Sequence, residues 1–256
     1  MTPVELGDAL ADAAARAVRE GALPMAARTG PPPGTRFRPT EQRSPGSISD
    51  WVTPVALRWA PALGVQPRDV ARELARSLGL DPRVEAVEVA PSGLLLITLT
   101  ALARGAVVDA VLAAPDAWAL GPGWREPPTE PAGARPPDDP VRQAQVAHAR
   151  LCRLVRNAEA LGVQVRGSRG REDLVEVSER RLLVALADLP QRAAAPGDAV
   201  TDLAGLADDW RAPVHPQVVG APVERVHGAR LGLATAARVV LRNGLWRLGA
   251  SAPERM

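Results

Sequence analysis

"DPVRQAQVAHARLCRLVRNA", Asp139 to Ala158, stands directly after one of the most proline-rich stretches of the 256-residue chain. How it folds decides what the second half of the protein is. Val141, Ala144, His148, Leu151, Val155 and Ala158 recur at spacings of three and four, which makes one continuous apolar stripe along a helix. His148 lies on that stripe and is predicted to be half-buried, its ring satisfied by a neighbour. Arg142, Gln145, Arg153 and Arg156 fall on the flanks of the same helix. Periodicity alone makes the segment a bundle helix and says nothing further.

Outward from it, the rest of the second half keeps the same period. Glu172 to Leu189, Ala199 to Trp210 and Val223 to Leu248 each carry helical spacing with no convincing strand, so residues 139–256 are predicted to form an all-α helical bundle. In the other direction, Gly121 to Pro140 holds seven prolines and three glycines. Residues 115–138 read as a Pro-rich linker; the stretch from Gly121 to Pro140, extended at about 3.1 Å per residue, spans up to roughly 60 Å. Cleavage by a protease is expected there first, after Arg125 or Arg135.

The first half mixes both periods. Thr2, Pro3 and Glu5 make a capping box with proline at the first helical position, followed by Leu6, Leu10, Ala13, Ala14 and Ala17. A Pro- and Gly-rich irregular segment follows, with a short strand expected around Thr35 to Arg38. "VALRWAPALG" and "QPRDVARELARSLG" read as two short helices, and "VEAVEVAPSGLLLITLT" as two strands joined by Pro91, Ser92 and Gly93. Ala101 to Leu112 returns to helix. Residues 1–114 are thus predicted to be an α+β domain with a small antiparallel sheet.

Composition narrows the function classes. A chain of this length with 46% hydrophobic residues can bury a core in each half. Cys152 is the single cysteine, so no internal disulfide can form and no thiolate-rich metal site can be built. Met1 to Glu20 carries acidic residues among its apolar ones and lacks the basic start of a signal peptide. No run of about 18 apolar residues occurs, so no spanning helix is expected and a cytoplasmic protein is the reading. All 31 basic residues are arginine, the better planar partner for phosphates and bases, yet the net charge is only +2. Aromatics are scarce, so base stacking would have to use tryptophan or a guanidinium plane.

The opening stretch also carries a resemblance. It is similar to the first helix of the anticodon-binding domain of arginyl-tRNA synthetases, where a pattern close to Asn-Pro-Val-x-x-x-Gln-Tyr-Ala-His-Ala-Arg opens the domain; Pro140, Val141, Gln145, Ala147, His148, Ala149 and Arg150 fit it. "ARLGLATAARVVLRNGLWRLGASAPERM", Ala229 to Met256, resembles the final helix and tail of that domain, including Asn243, Gly244, Leu245 and the closing residues Ala252 to Met256. In the first half, "SDWVTPVAL" resembles the Gly-Asp-Tyr-Ala-Thr-Asn-Val-Ala-Leu stretch of the family's N-terminal appended domain, with Asp50, Thr53, Val55, Ala56 and Leu57 matching. The resemblance implies a DALR-type anticodon-binding domain over 139–256 and an appended domain that meets the elbow of tRNA. It implies tRNA, arginine tRNA first, as partner, and a full-length synthetase as a second candidate partner. By the same resemblance Arg142, Gln145, His148, Arg150, Asn243, Arg255 and Met256 are candidate RNA-binding residues, and Asp50 and Trp51 candidate elbow contacts.

What the family carries between these two domains has no counterpart in the sequence. Its catalytic domain stabilises ATP phosphates with a His-x-Gly-His pair and a lysine-containing loop. The three histidines, His148, His215 and His227, stand far apart, and lysine is absent. A Walker loop is impossible without lysine, no Gly-x-Ser-x-Gly elbow occurs, and no histidine or cysteine spacing offers zinc a site. The adjacent pairs Asp208 with Asp209 and Asp138 with Asp139 diverge on a helix or cap it. No catalytic residue, metal or cofactor is therefore expected. The reading is a non-catalytic tRNA-binding protein derived from arginyl-tRNA synthetase. The alternatives are a protein-interaction scaffold that has lost its RNA face, or an accessory subunit of a separate synthetase.

Overall fold

A computed structural model of the chain describes residues 1–40, 49–120, 135–163, 170–192, 196–214 and 224–256. The chain divides into two compact units, Met1–Arg104 and Gly105–Met256. Most of the stretch expected to be a linker, and His215, lie outside the described residues.

In the first unit α1, Pro3–Arg19, starts at the expected capping box. The Thr2 side chain accepts from the Glu5 amide, and Glu5 accepts from the Thr2 amide. Its buried face, with Leu6, Leu10, Ala13 and Ala17, packs on α3, Pro67–Leu78. That helix also packs on α2, Val55–Leu63. Gly64 terminates α2 with φ of 64°, the left-handed conformation that glycine adopts without steric cost.

The sheet is antiparallel, in the order β1-β2-β4-β3. Its strands are β1 (Arg38–Pro39), β2 (Trp51–Thr53), β3 (Val84–Val89) and β4 (Leu95–Leu99). In β4, Leu95, Ile97 and Leu99 are buried and alternate with part-exposed neighbours, the period of a strand with one face on a core. The strand expected around Thr35 to Arg38 begins only at its last residue. Thr35 is held in a turn, its amide and hydroxyl both donating to the Pro32 carbonyl, and cannot join the ladder.

Asp50 and Trp51, expected at a tRNA surface, are core residues. Trp51 has no exposed surface and Asp50 is 4% exposed. The Asp50 carboxylate accepts from Arg104 Nε (2.8 Å) and Nη2 (3.1 Å) and from the Leu99 amide (2.7 Å), while Arg104 Nη2 donates to the Leu99 carbonyl at 2.6 Å. Each buried charge thus has its opposite and most of its hydrogen-bonding groups are paired, the condition under which an ion pair survives away from water. The pair ties the start of β2 to the end of β4.

The second unit is helical. After α4, Ala101–Ala113, within which the division falls, come α5 (Pro140–Ala160), α6 (Val177–Asp188), α7 (Pro196–Val214) and α8 (Arg225–Arg247). Helix α5 packs on α7 and α8, and α6 on α7 and α8. The helix expected from Glu172 is a short 3-10 turn, Arg171–Asp173, with α6 beginning at Val177 behind a reciprocal Glu176–Glu179 cap.

The division at 104/105 comes earlier than the boundary expected at residue 114, for reasons that can be named. Asp109 of α4 accepts from Arg171 Nη2 at 3.1 Å. Asn243 Nδ2 donates to the carbonyls of Pro115 and Trp118, both at 2.8 Å, and the Trp118 indole donates to Leu186 at 3.3 Å. The segment just before the proline-rich stretch belongs to the helical unit.

Candidate nucleic-acid interface

Helix α5 supplies the frame. Asp139 caps it, its carboxylate accepting from the amides of Val141 (2.7 Å) and Arg142 (3.3 Å), with Pro140 at the first position where no amide is needed. Ala144, Ala147, His148, Leu151, Cys152 and Val155 are buried.

The C-terminal tail is laid along one edge of this helix. At the end of α8, Gly249, φ 70°, closes a Schellman motif: Ala250 N donates to Leu245 O (2.9 Å) and Gly249 N to Trp246 O (3.0 Å). The chain then leaves α8 and runs in the same direction as α5. Gln145 Nε2 donates to the Ser251 carbonyl (3.0 Å) and hydroxyl (3.1 Å), His148 Nδ1 meets the Pro253 carbonyl at 2.9 Å, and Arg156 Nη2 donates to the Glu254 carbonyl at 3.3 Å. A carbonyl can only accept, so Nδ1 carries the proton in this bond. Burial pushes the His148 pKa below its ordinary value, and the Pro253 carbonyl offsets that in part. Cys152 Sγ lies 3.7 Å from His148 Nε2, and burial pushes this thiol up, so it stays protonated.

Gln145, His148 and Asn243, expected at an RNA face, are instead buried and bonded to the protein's own backbone. A side chain with its polar atoms turned inward cannot meet a phosphate or a base. These residues place the tail and the 115–118 turn. Arg150 is exposed but pairs with Asp208 at 2.6 Å, which offsets its charge.

What remains at the surface is a line of arginines. Arg142 and Arg153, eleven positions apart, lie within about 20° of each other around α5; Arg142 is half-buried, with Nη1 turned away from solvent, and Arg156 on their tail-side flank is half-buried and pairs with Glu254 at 3.7 Å. Arg153 is exposed and makes no ion pair among the described residues. Arg255 and Met256, at the end of the docked tail, are exposed as well. The surface can offer guanidinium groups to phosphates, but among the described residues of this unit Trp210 is buried and gives no stacking platform. Arg242 over the Trp246 ring, 4.6 Å from its centroid, also grips Asp116 at 2.7 Å.

The sequence pointed to neither of two buried cations, Arg104 of the first unit and Arg171. Arg171 is 1% exposed, donating to Asp109 and to the Ala229 carbonyl at 3.3 Å. Its only signal was the pair Gly105 and Gly232, where a Cβ would collide with it. Among the described residues no group of three or more His, Cys, Asp or Glu side chains could hold a metal ion, and no helix is long and apolar enough to cross a membrane.

Two family models match the chain. Residues 6–99 match the arginyl tRNA synthetase N terminal domain, and residues 144–256 the DALR anticodon binding domain. Among curated proteins, the arginine–tRNA ligase of Thioalkalivibrio sulfidiphilus is 38% identical over 130 residues, 46% of this chain and 22% of the relative. That of Thermotoga maritima is 38% identical over 133 residues, 49% and 24% respectively. That of Kineococcus radiotolerans is 39% identical over 132 residues, 46% and 23%. The matched stretch spans about a quarter of the length of these relatives.

Proposed function

We propose that this chain, which carries an arginyl tRNA synthetase N terminal domain and a DALR anticodon binding domain, binds tRNA in the cytoplasm without charging it. The observation that carries the reading is the arginine line of α5, Arg142, Arg153 and Arg156, beside a tail that ends in exposed Arg255, all but Arg142 within the DALR match. Arginine on phosphate supplies affinity that is steep in salt and carries little sequence information. Two domains on one chain, each holding a different part of the same tRNA, bind more tightly than either alone, provided the connecting segment spans the gap. The anticodon is the region gripped by the helical unit on this reading, arginine tRNA the first candidate, and the elbow the region for the first unit.

The non-catalytic half of the proposal is supported by the missing lysine and the scattered histidines, which leave no counterpart to the phosphate-stabilising groups of a class I synthetase. A competing reading is favoured by the scarcity of exposed aromatics among the described residues: the α5 surface receives a protein, a full-length synthetase included, rather than RNA. Crosslinking in cells followed by sequencing of bound RNA separates the two. Enrichment of tRNA reads supports the proposal. Recovery of no RNA above a mock pull-down favours the protein partner.

A further inference from the structure

Strand β3 lies at one edge of the first unit's sheet, with β4 on one side and, among the described residues, no strand on the other. Ala90 N donates to Leu94 O at 2.9 Å and Thr100 N to Arg83 O at 3.0 Å, which fixes the residues of β3 that face β4. Counting two residues at a time from Ala90, Glu88 and Ala86 are the residues that exchange bonds with their partners Leu96 and Thr98. Val87 and Val89 therefore turn their backbone N–H and C=O groups outward, and none of these four groups has a partner among the described residues. Glu85 stands in an irregularity of the ladder between Val84 and Ala86, a bulge that ends the regular edge on that side. A row of unpaired backbone groups is a template for another strand.

The side chains decide which strand. Val87 and Val89 stand opposite Ile97 and Leu95, both buried, so they lie on the core face of the sheet. Glu88 lies on the other face, and Glu85 and Glu88 are exposed and form no ion pair among the described residues. A second copy of this chain fits poorly. Pairing Val87 of one copy with Val89 of the other sets Glu88 directly against Glu88, at the close, non-hydrogen-bonded position where like charges destabilise. The same position rewards an opposite charge, and two uncompensated carboxylates repel phosphate, so the edge favours a basic protein strand over RNA. We propose that the outer edge of β3 receives an extended segment of a partner protein, added antiparallel to the sheet, with an arginine or lysine opposite Glu88 and apolar side chains opposite Val87 and Val89. The backbone bonds supply affinity, and the apolar–basic–apolar alternation supplies selectivity. The proposal does not rest on the tRNA-binding reading.

The test uses the full chain and its Glu88→Arg variant, whose replaced side chain is exposed, so that an unchanged melting temperature verifies the fold. Three short, end-blocked, fluorescent peptides are the probes: one alternating valine and arginine, one alternating valine and glutamate, and the arginine peptide with its valine amides N-methylated. Anisotropy reads affinity, and the Val87 and Val89 amide signals read the place of binding by NMR. The arginine peptide should bind the wild type and shift both amides, and should bind Glu88→Arg more weakly, on the order of tenfold. The glutamate peptide should show the reverse preference, and the N-methylated peptide, which keeps the charge but loses the donors, should not bind. Equal binding of the N-methylated peptide would reduce the contact to charge alone and overturn strand addition. Equal affinity of the arginine peptide for both proteins, or no binding, would overturn the edge as its site. The two amides shifting instead as the wild type alone is concentrated, or with total tRNA and no peptide, would overturn it in favour of a second copy or of RNA.

Discussion

His148 in α5 and Pro253 in the tail are joined by a 2.9 Å hydrogen bond between residues 105 apart in sequence. It is the middle of the contacts by which α5 holds the tail, and it requires a proton on Nδ1, which the neutral ring carries in one tautomer and the charged ring always carries.

The burial of the ring gives a pH dependence. Burial depresses the folded pKa of His148 below the ordinary 6.5, so in acid the unfolded chain binds the proton more readily than the folded one. The stabilisation is complete above about pH 6.5 and falls as the pH drops from there toward the folded pKa. His148→Gln can still donate to Pro253 but cannot titrate. Denaturant melts between pH 8 and pH 5 should show the loss in the wild type, and a smaller one in the variant. Equal losses would place the acid sensitivity elsewhere.

Cys152 reports on the same contact. It is the only cysteine, 1% exposed and beside His148. His148→Ala should destabilise the chain by about 1–3 kcal/mol and speed modification of the thiol by an aromatic disulfide reagent severalfold. Identical labelling rates in native wild type and variant would mean that the tail contact does not protect it.

The stripe that buried His148 was legible, since Ala144, Leu151 and Val155 stand at helical spacing. Its partner was not. A carbonyl on a tail beyond the end of α8 leaves no periodic trace in α5, and the fit of Gln145, His148 and Asn243 to a family pattern could not distinguish residues that touch RNA from residues that hold the surface in shape. Asp50 and Trp51 misled in the same way: the likeness of the stretch around them to the family's appended domain made them elbow candidates, whereas a guanidinium from α4, 54 residues away, allows the carboxylate to be buried.

Asp50→Ala should therefore act on the first unit's stability. It leaves Arg104 buried without a counter-charge, at a cost of about 3–5 kcal/mol. Thermal melts read by circular dichroism measure it. A shift of only a degree or two would show that Arg104 finds water.

Gly232→Ala tests the buried Arg171. A methyl there runs into the guanidinium, which is held on its other sides by Asp109 and the Ala229 carbonyl. Overpacking of this kind costs about 1–3 kcal/mol. Gly205→Ala, whose Cβ meets nothing within 4 Å, is the control and should be neutral or better. Equal stability of the two variants would remove Arg171 from the packed core.

The central claim, tRNA binding by the arginine line of α5 and the exposed end of the tail, is tested most directly by equilibrium binding of total tRNA and of an unrelated RNA of equal length. The proteins compared are the full chain, Arg142→Gln/Arg153→Gln, and the chain lacking Arg255 and Met256. The account predicts tighter binding of tRNA than of the unrelated RNA, a salt slope shallower by roughly 1.4 to 1.8 in the double variant, and weaker binding by the truncated chain with little change in melting temperature. Binding of tRNA no better than the unrelated RNA, or binding unaffected by both changes, would contradict it.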